Sequence, residues 1–166
     1  MNFHIEPLVR RHDRSAFDCG EPALNEFIQR HARQNQERRI SRTYVAAEVG
    51  GIQVLGFYTI TGTSLAATEL PEAERRRLPR HRVPMVQIAR LAVDRLAAGQ
   101  GLGEALLFHA LGRAALVAEV MGIYGVEVYA KHDRAAGFYH RFGFLRLEDD
   151  RLHLYLPMST ILDLPL

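Results

Sequence analysis

The 166-residue sequence predicts an α/β sandwich built on a mixed central sheet. Three observations predict it. Short apolar runs rich in Val, Ile and Tyr alternate with segments of helical periodicity. Two early runs, "RTYVAAEV" and "IQVLGFYTITGTSL", are separated by Gly50-Gly51, a hairpin signal. Later runs are separated by helices instead. A hairpin makes antiparallel neighbours and a helical crossover makes parallel ones, so one sheet must hold both. A doubly wound parallel sheet, with helical crossovers throughout, does not fit.

Each element follows in order. "FHIEPLV" reads as a short strand. "PALNEFIQRHARQNQERR" reads as a helix with Pro22 in its first turn, where a missing amide costs little. Leu24, Phe27, Ile28 and His31 recur at helical spacing and are expected to face the core. After the hairpin, "LPEAERRRLPRHRVP" is a polar, proline-punctuated connection with a short helix at most. "MVQIARLAVD" is apolar enough for a central strand. Gly101 to Met121 reads as a long helix whose polar members Glu104, His109, Arg113 and Glu119 share about half the circumference. "IYGVEVYA", "HDRAAGFYHRF" and "LRLEDDRLHLYLPM" read as a strand, a helix and one or two closing strands.

Hydrophobic residues at 48% and charged residues at 24% are ordinary globular values, which excludes a disordered chain. No apolar run reaches the roughly 18 residues of a spanning helix, and "MNFHIEPLVRRHDR" lacks a signal core. The single Cys19 excludes an internal disulfide and a thiolate-rich metal site. A single domain over residues 1–166, cytoplasmic and without a membrane partner or metal, is the expectation. Lys131 is the only lysine, so arginine carries almost all the positive charge. Arg30, Arg33, Arg38, Arg39 and Arg42 form one cluster; Arg75, Arg76, Arg77, Arg80 and Arg82 form another. Such runs solvate a surface or, brought together, track a phosphate backbone.

The stretch "RLAVDRLAAGQGLGEALL" joins an extended segment to a helix through three glycines. A P-loop needs Gly-Lys-Ser/Thr, but Gly103 is followed by Glu104 and Ala105. A dinucleotide fingerprint needs G-x-G-x-x-G, whereas Gly99, Gly101 and Gly103 are spaced G-x-G-x-G. A ligand-free structural turn remains open, beside a pyrophosphate cradle that opens into a helix. In the cradle, backbone amides from Gln100 through Gly101, Leu102, Gly103 and Glu104 to Ala105 point outward at the positive end of the helix. Glycines let that chain wrap an anion without Cβ collisions.

This stretch resembles motif A of the GNAT acetyltransferases, with Gly101 and Gly103 at its two small positions. Ala98 departs from the usual Gln or Arg. "AAGFYHRFGF" resembles the second GNAT signature, a helix carrying Phe-Tyr before a Gly-Phe turn. The resemblance implies the GNAT fold and acetyl-CoA as acetyl donor. It places the pantetheine arm on main-chain groups of Leu91, Ala92 and Val93, beside a splayed strand, and the pyrophosphate on the loop from Gly99 to Ala105. Tyr139 becomes the general acid for the departing thiolate. Phe138 becomes a packing or CoA-contacting residue, and Arg141 a contact for a CoA phosphate or a surface arginine.

"MVQIARLAV" carries no Asp or Glu, so no general base is evident there. That favours an α-amine, partly neutral at pH 7, over a lysine amine. Water or a distant carboxylate such as Glu48 can also serve. "FDCGEPALNEFIQRHARQ", "RTYVA" and "GFYTIT" are similar to the GNAT toxins of toxin–antitoxin pairs. That resemblance implies acetylation of aminoacyl-tRNA, a ribbon-helix-helix antitoxin and a homodimer. It assigns tRNA binding to Arg30, Arg33, Arg38, Arg39, Arg75, Arg76 and Arg77. The alternatives are a GNAT enzyme for a small amine or a protein N-terminus, and a non-catalytic CoA-binding protein.

Overall fold

The computed structural model describes residues 2–166. Its strands are β1 (Phe3–Pro7), β2 (Arg42–Glu48), β3 (Gly56–Leu65), β4 (Val83–Val93), β5 (Gly125–Tyr129), β6 (Leu145–Arg146) and β7 (His153–Pro157). They form one seven-stranded sheet in the order β1-β2-β3-β4-β5-β7-β6. The pairs β1–β2, β2–β3, β5–β7 and β6–β7 are antiparallel. Between β4 and β5 runs the helix α4 (Leu102–Ala118), the kind of crossover a parallel pair requires. The expected mixed sheet therefore forms. Among the described residues no helix is long and apolar enough to cross a membrane.

The chain divides into two compact units, Met1–Thr61 with Ile88–Ala110, and Gly62–Gln87 with Leu111–Leu166. In the first unit, α1 (Pro22–Glu26), a π-helical turn (Phe27–His31) and α2 (Ala32–Glu37) follow one another without a break. Phe17, Phe27 and Phe57 make an aromatic centre, with ring centroids 5.4 and 6.1 Å apart. Leu8, Leu24, Ile28, Ala32, Val45 and Val54 close around it.

Two sequence expectations change here. His31 was expected in the core, but it is exposed and Ala32 is buried in its place. The reason is the π turn, in which the Ala32 amide donates to the Phe27 carbonyl, five residues back. One extra residue per turn rotates His31 outward, where it lies 3.9 Å from Glu26. The Ile28 carbonyl within this turn accepts a hydrogen bond from Arg14 Nη1 at 2.9 Å.

The second strand of the hairpin was expected from Ile52, yet β3 starts at Gly56. Residues 52–54 pair instead with Asp13: the Asp13 amide donates to the Ile52 carbonyl and the Val54 amide to the Asp13 carbonyl. A local propensity for strand was thus satisfied by a different partner.

The second unit also contains α3 (Glu72–Arg75), α5 (Asp133–Arg141) and α6 (Met158–Ile161). Its core gathers Leu65, Leu70, Val83, Met85, Leu147 and Tyr155. Glu74 accepts hydrogen bonds from the Tyr124 hydroxyl at 2.5 Å and from the Tyr155 hydroxyl. Burial and the Glu74 carboxylate push the Tyr124 phenol up to about 12. The long helix ends at Ala118, so Glu119 and Met121 lie in turns beyond it.

Candidate active site

The glycine loop belongs to the first unit. Its helix begins at Leu102, and the first amide to bond within the turn is that of Ala105, donating to the Gly101 carbonyl at 3.1 Å. The expected free amides therefore stop one residue earlier than the sequence suggested. Ala105 is committed to the helix because it is the fourth residue after Gly101. Among the described residues, the amides of Gly99 to Glu104 donate to no backbone carbonyl. Gly99 and Gly101 have φ of +76° and +78°, and a Cβ at either would meet nothing within 4 Å. Those glycines answer a backbone requirement, and the space beside them is open. Ala98 is exposed in extended conformation just before them. Adjacent amides beside open space, at the positive end of a 17-residue helix, suit a pyrophosphate.

Asp94 holds this loop in place, and sequence reasoning missed it. It is 2% exposed. Its carboxylate accepts the Leu96 amide at 2.8 Å, capping the 3-10 turn Arg95–Ala97, and the Asp18 amide at 2.9 Å. An acidic residue ending an apolar strand before a turn is a capping signal that could have found it. The "FDCG" segment supplies the rest of the scaffold. The Asp18 carbonyl accepts the Arg95 amide, and the Arg95 guanidinium lies 3.4 Å from the Asp18 carboxylate. Hydrogen bonds from the Gly20 amide and from Asn25, then the charge of Arg95, hold the Asp18 carboxyl below its ordinary range. Cys19 packs half-buried against the phenylalanine core.

Of the three motif-A strand positions, Ala92 is buried, while Leu91 and Val93 are half-buried. Arg90 lies with its guanidinium carbon 3.6 Å from the Phe27 ring centroid, a cation–π contact. His109, counted among the polar members of α4, is half-buried instead. Its Nδ1 lies 2.7 Å from the Tyr58 hydroxyl, and its ring leans on Tyr44 and Tyr58. Glu48 stands exposed at the end of β2, opposite Phe3.

Tyr139 belongs to the second unit, and the "FYHRFGF" pattern explains how it is fixed. The helix α5 is capped at its start by His132, whose Nδ1 accepts the Ala135 amide at 3.1 Å. At its end Gly143, with φ of +91°, donates to the His140 carbonyl, and Phe144 donates to the Tyr139 carbonyl. These two bonds are a Schellman motif, whose hydrophobic contact is Phe144 against Tyr139, rings 5.3 Å apart. The Gly-Phe turn therefore clamps the tyrosine through both backbone and ring. Tyr139 is 8% exposed. Burial pushes its phenol well above the ordinary value, so the hydroxyl stays protonated through the neutral range. Among the described residues its hydroxyl has no hydrogen-bond partner, and Ser41 Oγ alone is buried dry. A neutral phenol held by its ring, with its proton uncommitted, can donate that proton.

Phe138 meets Tyr139 edge-on at 5.1 Å. The exposed Arg141 lies over the Phe138 and Phe142 rings at 5.7 and 5.1 Å. A buried histidine network, also unforeseen, lies in the same unit. His153 Nε2 is 2.5 Å from Glu127, and its Nδ1 is 2.9 Å from Asp149. Tyr129 stacks on the imidazole at 3.8 Å. Burial opposes the charge on His153, but hydrogen bonds to Glu127 and Asp149 outweigh it and raise the histidine. Glu69, Asp149 and His153 come within 4.8 Å of one another, although both ring nitrogens of His153 already face carboxylates.

The arginines fall into both units. In the first, Arg30, Arg38 and Arg39 are exposed, and Arg33 pairs with Glu37 at 3.2 Å. In the second, Arg76 pairs with Glu72 at 2.7 Å, and Arg75 Nη1 is 3.5 Å from the Thr68 carbonyl. Arg75 and Arg76 line a cleft; Arg77 does not, whereas Arg80 and Arg82 do.

The first unit thus offers an open row of amides at a helix start, and the second offers a Schellman-clamped tyrosine. The acetyltransferase (GNAT) domain family matches residues 39–146, and the chain belongs to it. Among curated relatives, the tRNA-acetylating toxin of Mycobacterium tuberculosis (strain ATCC 25618 / H37Rv) is 38% identical over 147 residues, covering 89% of this chain and 87% of the relative. Among solved structures, AtaT complexed with acetyl-methionyl-tRNAfMet has a TM-score of 0.91 at 33% identity, over 96% of this chain and 97% of that one. A tyrosine-to-phenylalanine AtaT toxin, bound to the C-terminus of the antitoxin AtaR and acetyl-CoA, has a TM-score of 0.81 at 31% identity, over 97% and 96%.

Proposed function

We propose that this chain transfers the acetyl group of acetyl-CoA to the α-amino group of an aminoacyl-tRNA, and so acts as the toxin of a toxin–antitoxin pair. Similarity over 89% of the chain to a relative named for tRNA acetylation is the observation that carries this reading. In it, the amides from Gln100 to Glu104 hold the pyrophosphate, and main-chain groups at Leu91, Ala92 and Val93 hold the pantetheine arm. Phe138 and Arg141 contact the rest of the CoA. The neutral amine attacks the thioester carbonyl, the carbon–sulfur bond breaks, and the Tyr139 hydroxyl passes its proton to the sulfur. Solvent takes the proton shed by the amine. No carboxylate occurs in "MVQIARLAV", which suits an α-amine that is partly neutral without help.

The whole chain works as one cytoplasmic domain in this proposal, paired as a homodimer and held inactive by a ribbon-helix-helix antitoxin. The AtaT structure bound to its antitoxin supports the partner class. Arg30 and Arg33 in the first helical segment and Arg38 and Arg39 in the turn after it, with Arg75, Arg76 and Arg77, bind the tRNA backbone. Incubating the protein with labelled acetyl-CoA and bulk charged tRNA tests the reading. Label is expected on the amino acid of a subset of charged tRNAs and absent from deacylated tRNA. Label confined to small amines or protein N-termini would refute it.

A further inference from the structure

The second unit contains a cleft of about 710 Å³ whose wall carries Arg75, Arg76, Arg80, His81 and Arg82. Among the described residues, no Asp or Glu lines it. The state of each guanidinium matters more than the count. Arg82 donates from Nε to Ser64 Oγ at 2.6 Å and from Nη2 to the Ser64 carbonyl at 2.7 Å. Both partners are neutral, so the group is oriented while its charge stays uncompensated. Arg75 has one longer contact, Nη1 to the Thr68 carbonyl at 3.5 Å, also with a neutral partner. Arg80 makes no ion pair among the described residues, and only Arg76 faces a carboxylate, that of Glu72. Three uncompensated guanidinium groups in one concavity repel one another and focus positive potential there. Such an arrangement is complete when an anion enters.

Apolar residues line the cleft as well. Leu78 and Pro79 line the cleft, and a smaller hollow of about 290 Å³ shares them and continues to Pro84 and Tyr124. A free inorganic anion would leave that apolar lining wet. A duplex would present only its convex backbone, with its bases covered. A lining both cationic and apolar, at a volume typical of a single bound ligand, fits one unpaired nucleotide with its flanking phosphates.

From this geometry we infer that the cleft is an RNA subsite, taking an unpaired nucleotide of the charged tRNA with its phosphates on Arg75, Arg80 and Arg82. The inference rests on aminoacyl-tRNA being the substrate, and it adds Arg80, His81 and Arg82 to the residues that meet tRNA. Coenzyme A carries a nucleotide of similar chemistry, so the test must separate the two sources.

The test measures fluorescence anisotropy of an end-labelled, unpaired RNA hexamer and of deacylated tRNA, across a salt series. Wild type is compared with Arg80→Glu, an exposed change without a folding cost, and with Arg75→Ala/Arg82→Ala. Arg80→Glu is expected to weaken both RNAs by about tenfold or more near 0.1 M salt. The salt dependence of the hexamer should flatten by about 0.7 in log–log slope for each phosphate no longer neutralised. Unaltered affinity and slope in Arg80→Glu would overturn the inference. So would displacement of the hexamer from wild type by coenzyme A or by polyglutamate, which would assign the cleft to CoA or to an acidic protein segment. Failure of wild type to acetylate any charged tRNA would instead refute the substrate reading, and weakened RNA binding by the variants would still stand apart from it.

Discussion

Replacing Gly101 by alanine separates a backbone requirement from a binding role. Gly101 has φ of +78°, where an L-residue costs about 1–2 kcal/mol, but its Cβ would touch nothing within 4 Å. The structure supplies a matched control in Gly50, with φ of +83° and equally open surroundings, in the β2–β3 connection. Both variants should therefore lose the same stability, a factor of roughly 5 to 30 in the folding equilibrium. They should differ in acetyl-CoA affinity. At Gly101 the new methyl group occupies the space in front of the free amides and pushes an anion away from them. Losing one hydrogen bond to a charged group costs about 1.5–3 kcal/mol, or roughly 10- to 150-fold in affinity. Urea denaturation reads the first quantity and titration calorimetry the second. If Gly101→Ala binds acetyl-CoA as tightly as Gly50→Ala, the loop is a structural turn and the cradle argument fails.

Tyr139→Phe keeps the ring contacts with Phe138 and Phe144 and removes the hydroxyl with its proton, so turnover should fall by about a hundredfold while acetyl-CoA affinity holds. Steady-state kinetics with unchanged turnover would remove Tyr139 from the acid role. Asp94→Ala strands two amides, those of Asp18 and Leu96, and should cost about 2 kcal/mol or more in urea denaturation. Asp94→Asn, which keeps one acceptor, should fall between. His153 is raised in the folded state, so its contribution is fully present below about pH 6.5, the unfolded value, and is lost as pH rises through the raised value. Once neutral, it no longer compensates Glu127 and Asp149. Melting temperature across pH 5–9 should show this fall in wild type and a flatter profile in His153→Gln; identical profiles would show that the histidine does not titrate there.

The strands, the long helix and both signatures were readable because each rests on neighbours in sequence. Gly99 and Gly101 carry the φ that glycines imply, and the Gly143-Phe144 turn closes a helix as such a pair should. Periodicity failed at His31 because it assumes 3.6 residues per turn, and the π turn at Phe27–His31 breaks that spacing. The strand reading failed at Ile52 because propensity names no partner, and Asp13 took the place of the neighbouring strand.

By itself, then, the sequence determined the order of elements, a mixed sheet, the glycine loop and the tyrosine helix, since local backbone preferences decide all of them. Tertiary structure alone decided which side chains act together. Asp94 meets Asp18 across 76 residues, and His153 meets Glu127 across 26. Arg80 and Arg82 join Arg75 around one cleft while Arg77, adjacent in sequence, does not. Hydrogen-bond partners and charge compensation are set by distance in space, and a linear pattern holds no record of that distance.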